Sequence, residues 1–298
     1  MNALNGFVTK LFDVVLSPFE ALGFEWALIL VSGVFGILAL IAFKYISYQK
    51  GIKAAKDKIK GHLIAVRLYQ NDLGIVAKSV FKVLARNLQY LGLNFGPFVP
   101  LAIPFVFVLA QLVTRYAFDP IPVESVVVNE SAEGRTSAWP VQRRAGLGTV
   151  VRIEMAKGSE ERASELAVEL PEGLRATSAF VRNGRDGVAF QEFVATNPGE
   201  YDIAFTLPDG TRETKRVVAG TRARKMQPER VKGTFTAVLW PAEDKLPSDS
   251  PFEHIAFEYP ESALGWLPGV GLGGVLLVFL VASMLFGVLV LKPLGIQI

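Results

Sequence analysis

Hydrophobic and polar positions divide this chain into six stretches. In the first, residues 1–22, Leu4, Phe7, Val8, Leu11, Phe12 and Val15 fall on one helical face, and Asn5, Thr9, Lys10 and Asp13 lie opposite. The stretch is too short and too polar to cross a bilayer. It predicts an amphipathic helix lying in the membrane interface, ended by Pro18; the alternative is a helix packed on an external domain. In the second, 23–47, Trp26 to Phe43 carries no charge and Glu25 and Lys44 bracket it. That length suffices to cross the hydrocarbon core. Ser32 and Gly36 make a small-xxx-small pair, a packing surface between spans.

Residues 48–90 read as two short helices. Ile52, Ala55, Ile59, Leu63 and Val66 recur at helical spacing, and so do Leu73, Val76, Val80, Leu84, Leu88 and Leu91. Gln70-Asn71-Asp72 interrupts them, and Asn71 or Asp72 can cap the second helix. Two amphipathic helices joined this tightly predict an antiparallel, coiled-coil-like hairpin with its stripes buried against each other. The second span, 91–117, contains Pro97, Pro100 and Pro104. Each proline removes a backbone donor and frees the carbonyl four residues earlier, here Leu93, Gly96 and Pro100. Freed carbonyls at membrane depth need a wet cavity or protein around them. The residues leave both open: a hydrated groove, or a kinked helix packed on its neighbours. Asn94 lies in this stretch with Asn87 just before it. Gln111 sits deeper, the usual place for a bond between helices.

Residues 118–262 change character. Alternating runs appear at SVVVNE, TVVRIEM, LAVEL, ATSAFV, VAFQEFV, EYDIAFTL, TKRVVA, TFTAVLW and HIAFEY, separated by Pro171-Glu172-Gly173, Asn183-Gly184, Asp186-Gly187, Asn197-Pro198-Gly199 and Asp209-Gly210. Short strands with turns at this spacing predict a β-sandwich, and Asp209-Gly210 predicts a hairpin. Tyr201 after Pro198-Gly199 sits where an immunoglobulin-type strand pins its corner. Residues 221–233 are basic and patternless, a solvated loop. The sixth stretch, 263–298, holds a third span, Leu264 to Leu291, stopped by Lys292-Pro293. Its Gly269-Val270-Gly271-Leu272-Gly273-Gly274 imitates a dinucleotide fingerprint but lacks the preceding strand and later acid, so it reads as helix packing. Ser283 and Gly287 repeat the small-residue theme.

Charge orients these parts. Residues 44–90 carry ten cations against Asp57 and Asp72, a balance of +8, whereas residues 115–261 come to −4 and the whole chain to +3. Cations between two spans place that loop in the cytoplasm. The N-terminus and the β domain then lie outside and the C-terminus inside, with no cleavable signal peptide expected. Lys50, Lys53, Lys56, Lys58, Lys60 and Arg67 form the basic surface of the hairpin, suited to anionic lipid headgroups; nothing points to DNA. There is no cysteine, which excludes disulfides, thiol catalysis and Cys-ligated metal sites. His62 and His254 have no further ligand-type residues at metal spacing, and no nucleophile elbow or phosphate loop occurs, so no enzyme, cofactor or metal is expected. Asn129-Glu130-Ser131 is a formal glycosylation acceptor. The missing cysteines and the absence of further acceptors point to a bacterial inner membrane.

The hairpin SYQKGIKAAKDKIKGHLIAVRLYQNDLGIVAKS, the stretch LARNLQYLGLNFGPFVPLAIPFVFVLAQL and the last span ending LKPLGIQI resemble the YidC-type membrane protein insertase superfamily. The likeness is to its minimal three-span branch, the archaeal YidC-like proteins and the insertase-like subunit of the endoplasmic reticulum membrane complex. It covers roughly half the chain. The resemblance implies insertion of nascent transmembrane segments, without a cofactor, through a hydrophilic groove open to the cytoplasm. Ser32, Asn87, Asn94, Gln111 and Ser283 are its candidate polar contacts. Bacterial YidC has an arginine inside its first span; here Lys44 and Arg86 are the nearest cations and would have to replace it. Partners implied are lipids, nascent membrane proteins and the ribosome. The β domain is an addition to the three-span plan, and it supports the competing reading: a structural subunit whose residues 118–262 bind a periplasmic or membrane partner. The fold expected is α + β: three transmembrane helices, a cytoplasmic helical hairpin and an extracytoplasmic immunoglobulin-like β-sandwich.

Overall fold

A computed structural model describes residues 2–124 and 148–295. The expected SVVVNE strand and the Asn129 triplet lie outside them. The chain is mixed helix and antiparallel sheet, and three helical stretches are long and apolar enough to cross a membrane: Phe24–Ile46, Leu73–Tyr116 and Gly271–Leu294. The chain divides into two compact units, residues 26–106 with 278–298, and residues 1–25 with 107–277.

The first unit holds most of the helices α2 (Phe24–Ile46), α3 (Gln49–Leu68), α4 (Leu73–Phe95), the first half of α5 (Phe98–Tyr116) and most of α7 (Gly271–Leu294). Small residues let α2 and α7 touch backbone to backbone. A Cβ on Gly36 would run into the Ser283 carbonyl, and the Phe286 ring lies against Gly33. The two small-residue motifs of the sequence therefore meet each other. Phe35, Phe105 and Phe279 form a triangle of rings with centroids 5.1–6.2 Å apart, one ring from each spanning stretch. Phe43 and Phe95 both pack on Phe98.

Asp72 caps α4 by accepting from the Gly74 and Ile75 amides, which fixes the turn after α3. The helix α4 runs on to Phe95, past the expected limit at 90, and Gly96-Pro97 breaks it from α5. The Gly96 carbonyl that Pro100 cannot use takes a long bond from the Val99 amide, 3.4 Å. The two helices α3 and α4 pack against each other, but not as expected. Ile52 and Ala55 of α3 are buried, while Leu73, Val80, Leu84, Leu88 and Leu91 of α4 are exposed. Of the expected stripe Val76 is turned inward, and Ser79, Val83 and Tyr90 make up the rest of that face.

The second unit centres on two antiparallel sheets. One has the order β3-β5-β1-β9-β8, with β4 also on β5, and the other β2-β6-β7. The strands are β1 (Thr149–Met155), β2 (Ala167–Glu169), β3 (Leu174–Ala176), β4 (Val181–Asn183), β5 (Val188–Ala195), β6 (Gly199–Thr206), β7 (Arg212–Ala219), β8 (Glu229–Val231) and β9 (Phe252–Phe257). Side chains of period two from both sheets share one core, including Val151, Ile153, Phe193, Ile203, Phe205, Val217, Phe252 and Ile255. The Asp209-Gly210 hairpin joins β6 to β7, with Gly210 at φ 86°. Lys215 is fully buried in this unit; its Nζ bonds the Glu243 carboxylate and the Gln227 carbonyl. Burial pushes the ammonium below its usual range and Glu243 holds it up against that.

Three expectations fail here. TFTAVLW is not a strand but a turn into the short helix α6 (Thr236–Leu239), where the Ala237 amide donates to the Gly233 carbonyl. Residues 221–233 are not all solvated loop: Glu229–Val231 pairs with β9. The last span begins at Gly271, not Leu264, because Gly265, Gly269 and Gly271 all adopt positive φ and fold 264–270 into turns. At the other end of the chain, α1 (Asn2–Glu20) carries Pro18 within it and ends two residues later.

A Gly36→Val substitution is expected to force α2 off α7 and cost about 1–3 kcal/mol. Gly61→Ala, where nothing lies within 4 Å, should be neutral or stabilise by up to about 1 kcal/mol through helix propensity. Thermal unfolding of both proteins in detergent measures the difference.

Candidate functional site

Periodicity and exposure single out α4. Leu73, Phe81, Leu84, Leu88, Leu91 and Phe95 repeat at three, four or eight residues, so they form one stripe along the helix. All six are exposed, Phe81 by 74% and Leu88 by 72%. The stripe continues onto Val99 and Ile103 of α5, also exposed. Exposed apolar surface of this length is rare on soluble proteins and marks contact with a membrane or a partner.

Polar residues border the stripe. Asn87 and Asn94, seven residues apart, fall on one margin, and both are half-buried. Asn94 Nδ2 donates to the Tyr90 carbonyl at 2.8 Å, while its Oδ1 is buried without a partner. Lys78, Lys82 and Arg86 lie toward the other side of the helix, where Arg86 donates to Gln89 Oε1 at 2.6 Å. Lys50, Lys53, Lys58, Lys60 and Arg67 of α3 are exposed, and Lys56 reaches over the Tyr90 ring at 5.9 Å. The basic surface read from sequence is thus present on these two helices, beside an apolar stripe that the sequence reading had placed inside.

The other candidate contacts are placed differently. Ser32 is buried and donates to its own helix at Leu28. Ser283 donates to Leu280 in the same way and abuts Gly36. Such back-bonding satisfies a hydroxyl within its own span. Lys44 is exposed at the end of α2. Gln111 belongs to the other compact unit and is 1% exposed, so it lines no open groove. It donates to Thr9 Oγ1 at 2.9 Å and accepts from Arg115 at 2.5 Å.

That last contact opens a cluster the sequence reading missed. Arg115 is 2% exposed; it meets Asp13 at 2.5 Å and the Thr9 carbonyl at 3.3 Å. Lys225 reaches Asp13 at 2.9 Å, and Arg224 reaches Glu20 at 3.0 Å. The basic loop after β7 therefore clamps α1 to the end of α5. Asp13 could be recognised from sequence only as part of a polar helix face, since its partners stand about a hundred and two hundred residues away. Desolvation opposes ionisation of Asp13, but the bonds from Lys225 and Arg115 outweigh it and hold its carboxyl below the usual range.

In this unit His254 lies within ion-pair distance of Glu229, 3.2 Å. Among the described residues no group of three His, Cys, Asp or Glu side chains could hold a metal ion.

Because the folded pKa of Asp13 is depressed, its contribution to stability is complete above the unfolded value, about pH 4, and is lost as pH falls through the folded one. Acid should therefore loosen α1 below about pH 4, and Asp13→Asn should flatten that dependence. Arg115→Ala leaves Asp13 and Gln111 partly unpaired and should cost about 3–5 kcal/mol at neutral pH. Thermal midpoints measured against pH check both. Compared with known proteins, the chain matches no family model, no curated protein and no solved structure.

Proposed function

We propose that this protein is a YidC-like insertase or insertion chaperone, which receives transmembrane segments on the exposed stripe of α4 and passes them to the bilayer. The single observation that carries the reading is that stripe: apolar, uncovered among the described residues, flanked by cations and continuous with the exposed side of α5. A client covering three of its leucine or phenylalanine side chains gains about 5 kcal/mol of burial, at roughly 1.5–3 kcal/mol each. Asn87 offers hydrogen bonds along one edge, so a polar residue in the client need not travel unsatisfied. This margin stands where the sequence led us to expect a hydrophilic groove open to the cytoplasm. Lys44 and Arg86 are positioned to meet acidic flanks.

In this reading α3 and α4 are the cytoplasmic helical hairpin of a bacterial inner-membrane protein, N-terminus outside and C-terminus inside. The ribosome and anionic lipid are further partners of the basic surface. The β domain is read as immunoglobulin-like; Tyr201 Oη donates to the Asn197 carbonyl at 2.7 Å, the bond a tyrosine corner makes. A second reading, a structural subunit of a larger complex, is favoured by the buried Arg115–Asp13 clamp, which makes the β domain a fixed platform.

Photo-crosslinkers at Leu84 and Leu88 in the membrane-embedded chain should capture varied nascent transmembrane segments. Leu84→Glu with Leu88→Glu should weaken capture at least about tenfold, since 1.4 kcal/mol is a factor of ten. Lys44→Ala with Arg86→Ala should impair insertion of a reporter whose short acidic tail must cross. Capture of one stoichiometric partner, with reporter insertion unchanged in all these variants, would replace the insertase by the scaffold.

A further inference from the structure

The helix α1 presents its two faces the wrong way round for a helix packed in water. Its polar side chains point into protein: Asn5 Nδ2 donates to the Ala237 carbonyl at 2.9 Å, Thr9 Oγ1 to the Pro241 carbonyl at 3.3 Å, and Asp13 takes Arg115 and Lys225. Its apolar side chains Phe7, Leu11, Val14 and Val15 are exposed, as is Leu22 just beyond. The carbonyl that holds Asn5 belongs to α6 of the β domain. The two large apolar residues flanking that helix's core-facing Ala237 and Val238 are exposed as well, Phe235 by 80% and Leu239 by 40%.

Depth decides what covers this surface. Thr9 and Asp13 bond to Gln111 and Arg115, in the last six residues of α5, about 9 Å at 1.5 Å per residue. That helix ends a stretch apolar enough to cross a membrane. The α1 face and the α6 turn beside it therefore sit level with the end of a span, where hydrocarbon gives way to headgroups. Cations stand near the turn. Lys245 lies 3.5 Å from Thr234, next to Phe235, and Lys232 precedes it by two residues. Lys10 is exposed on α1. Trp266, exposed five residues before α7, is of the type enriched at this level.

We propose that the Phe235–Leu239 turn is a lipid anchor of the β domain: with the exposed face of α1 it inserts into the phospholipid leaflet at the outer end of the α5 span. Phe235 and Leu239 enter the acyl boundary, and Lys245 meets phosphate, while Lys232 donates to the Ser250 carbonyl at 2.8 Å and holds the strand end below the turn. The domain is then seated on the bilayer rather than held above it on linkers, whether or not the chain inserts clients.

The chain has no cysteine, so single labels are clean. Phe235→Cys, Leu11→Cys and, as a control in the exposed β4–β5 turn, Arg185→Cys are labelled with an environment-sensitive fluorophore in the full chain in lipid nanodiscs. The probes are lipids with headgroup-level nitroxides and aqueous iodide. The labels at 235 and 11 should be blue-shifted and quenched several-fold more by the nitroxide lipid than the label at 185, with iodide in the reverse order. Iodide quenching at 235 equal to that at 185 overturns the proposal, even if position 11 is in lipid. So does protection at 235 that ignores the nitroxide lipid and grows with protein density, which would mean a second copy covers the turn.

Discussion

A guanidinium that is almost entirely shut off from water at the end of a helix is a severe constraint on everything around it. Arg115 can be there only because Asp13, the Gln111 side chain and the Thr9 carbonyl all converge on it. Losing Asp13 leaves the guanidinium without a counter-charge in a low-dielectric place. The constraint runs outward. Asp13 needs Lys225 as well, Lys225 needs the loop after β7 held in place, and the Met226 amide in that loop donates to the Thr114 carbonyl. Buried ion pairs add little net stability compared with apolar packing, but they reject misplaced partners strongly. The cluster therefore acts mainly as an alignment device: it fixes which face of α1 is inward, and so which face is left for the outside.

What the sequence disclosed was what is locally coded. The three apolar stretches, the Asp72 cap, the Asp209-Gly210 hairpin and the long strands of period two depend on neighbours within a few residues. The stripe on α4 was legible as a stripe and assigned to the wrong side. Periodicity reports that one face is apolar; the inference that this face is buried assumes water on the other. The side that α4 turns inward, with Val76, Ser79, Val83 and Tyr90, is settled by its packing on α3, a partner that periodicity along α4 alone does not report. β8 was invisible because its three residues carry two charges, and it exists only through pairing with β9. Arg115 and Lys215 drew no reading from the sequence, since a buried charge is recognised by its partners and those are distant in sequence.

The candidate polar contacts divide along the same line. Ser32, Ser283 and Gln111 were groove candidates only through the insertase resemblance; their residues alone read as span packing for the two serines and a bond between helices for Gln111. Two of them return their hydroxyls to their own helix, and Gln111 is sealed in the Arg115 cluster. Where α2, α5 and α7 meet, the seam is aromatic, with Phe35, Phe105 and Phe279 ring to ring. Under the proposed insertase reading, a client would be better served by the side of α4 than by a channel through that seam. Asn87 remains useful because it borders the exposed stripe.

The stripe and the positive charge belong to one device. An apolar strip of six large side chains left in water invites self-association, and natural sequences flank such strips with charge to prevent it. Eight net positive charges over residues 44–90 make two copies repel as they approach stripe to stripe, and screening at physiological ionic strength acts only beyond about 8 Å. The same cations attract what they do not repel: acidic flanks of a segment, or the anionic surface of a leaflet. Under the proposed insertase reading, repulsion of its own kind with attraction of oppositely charged apolar matter would keep the stripe free for a passing membrane segment. A structural subunit with a permanent partner on this stripe would have no need to keep its cations exposed beside it.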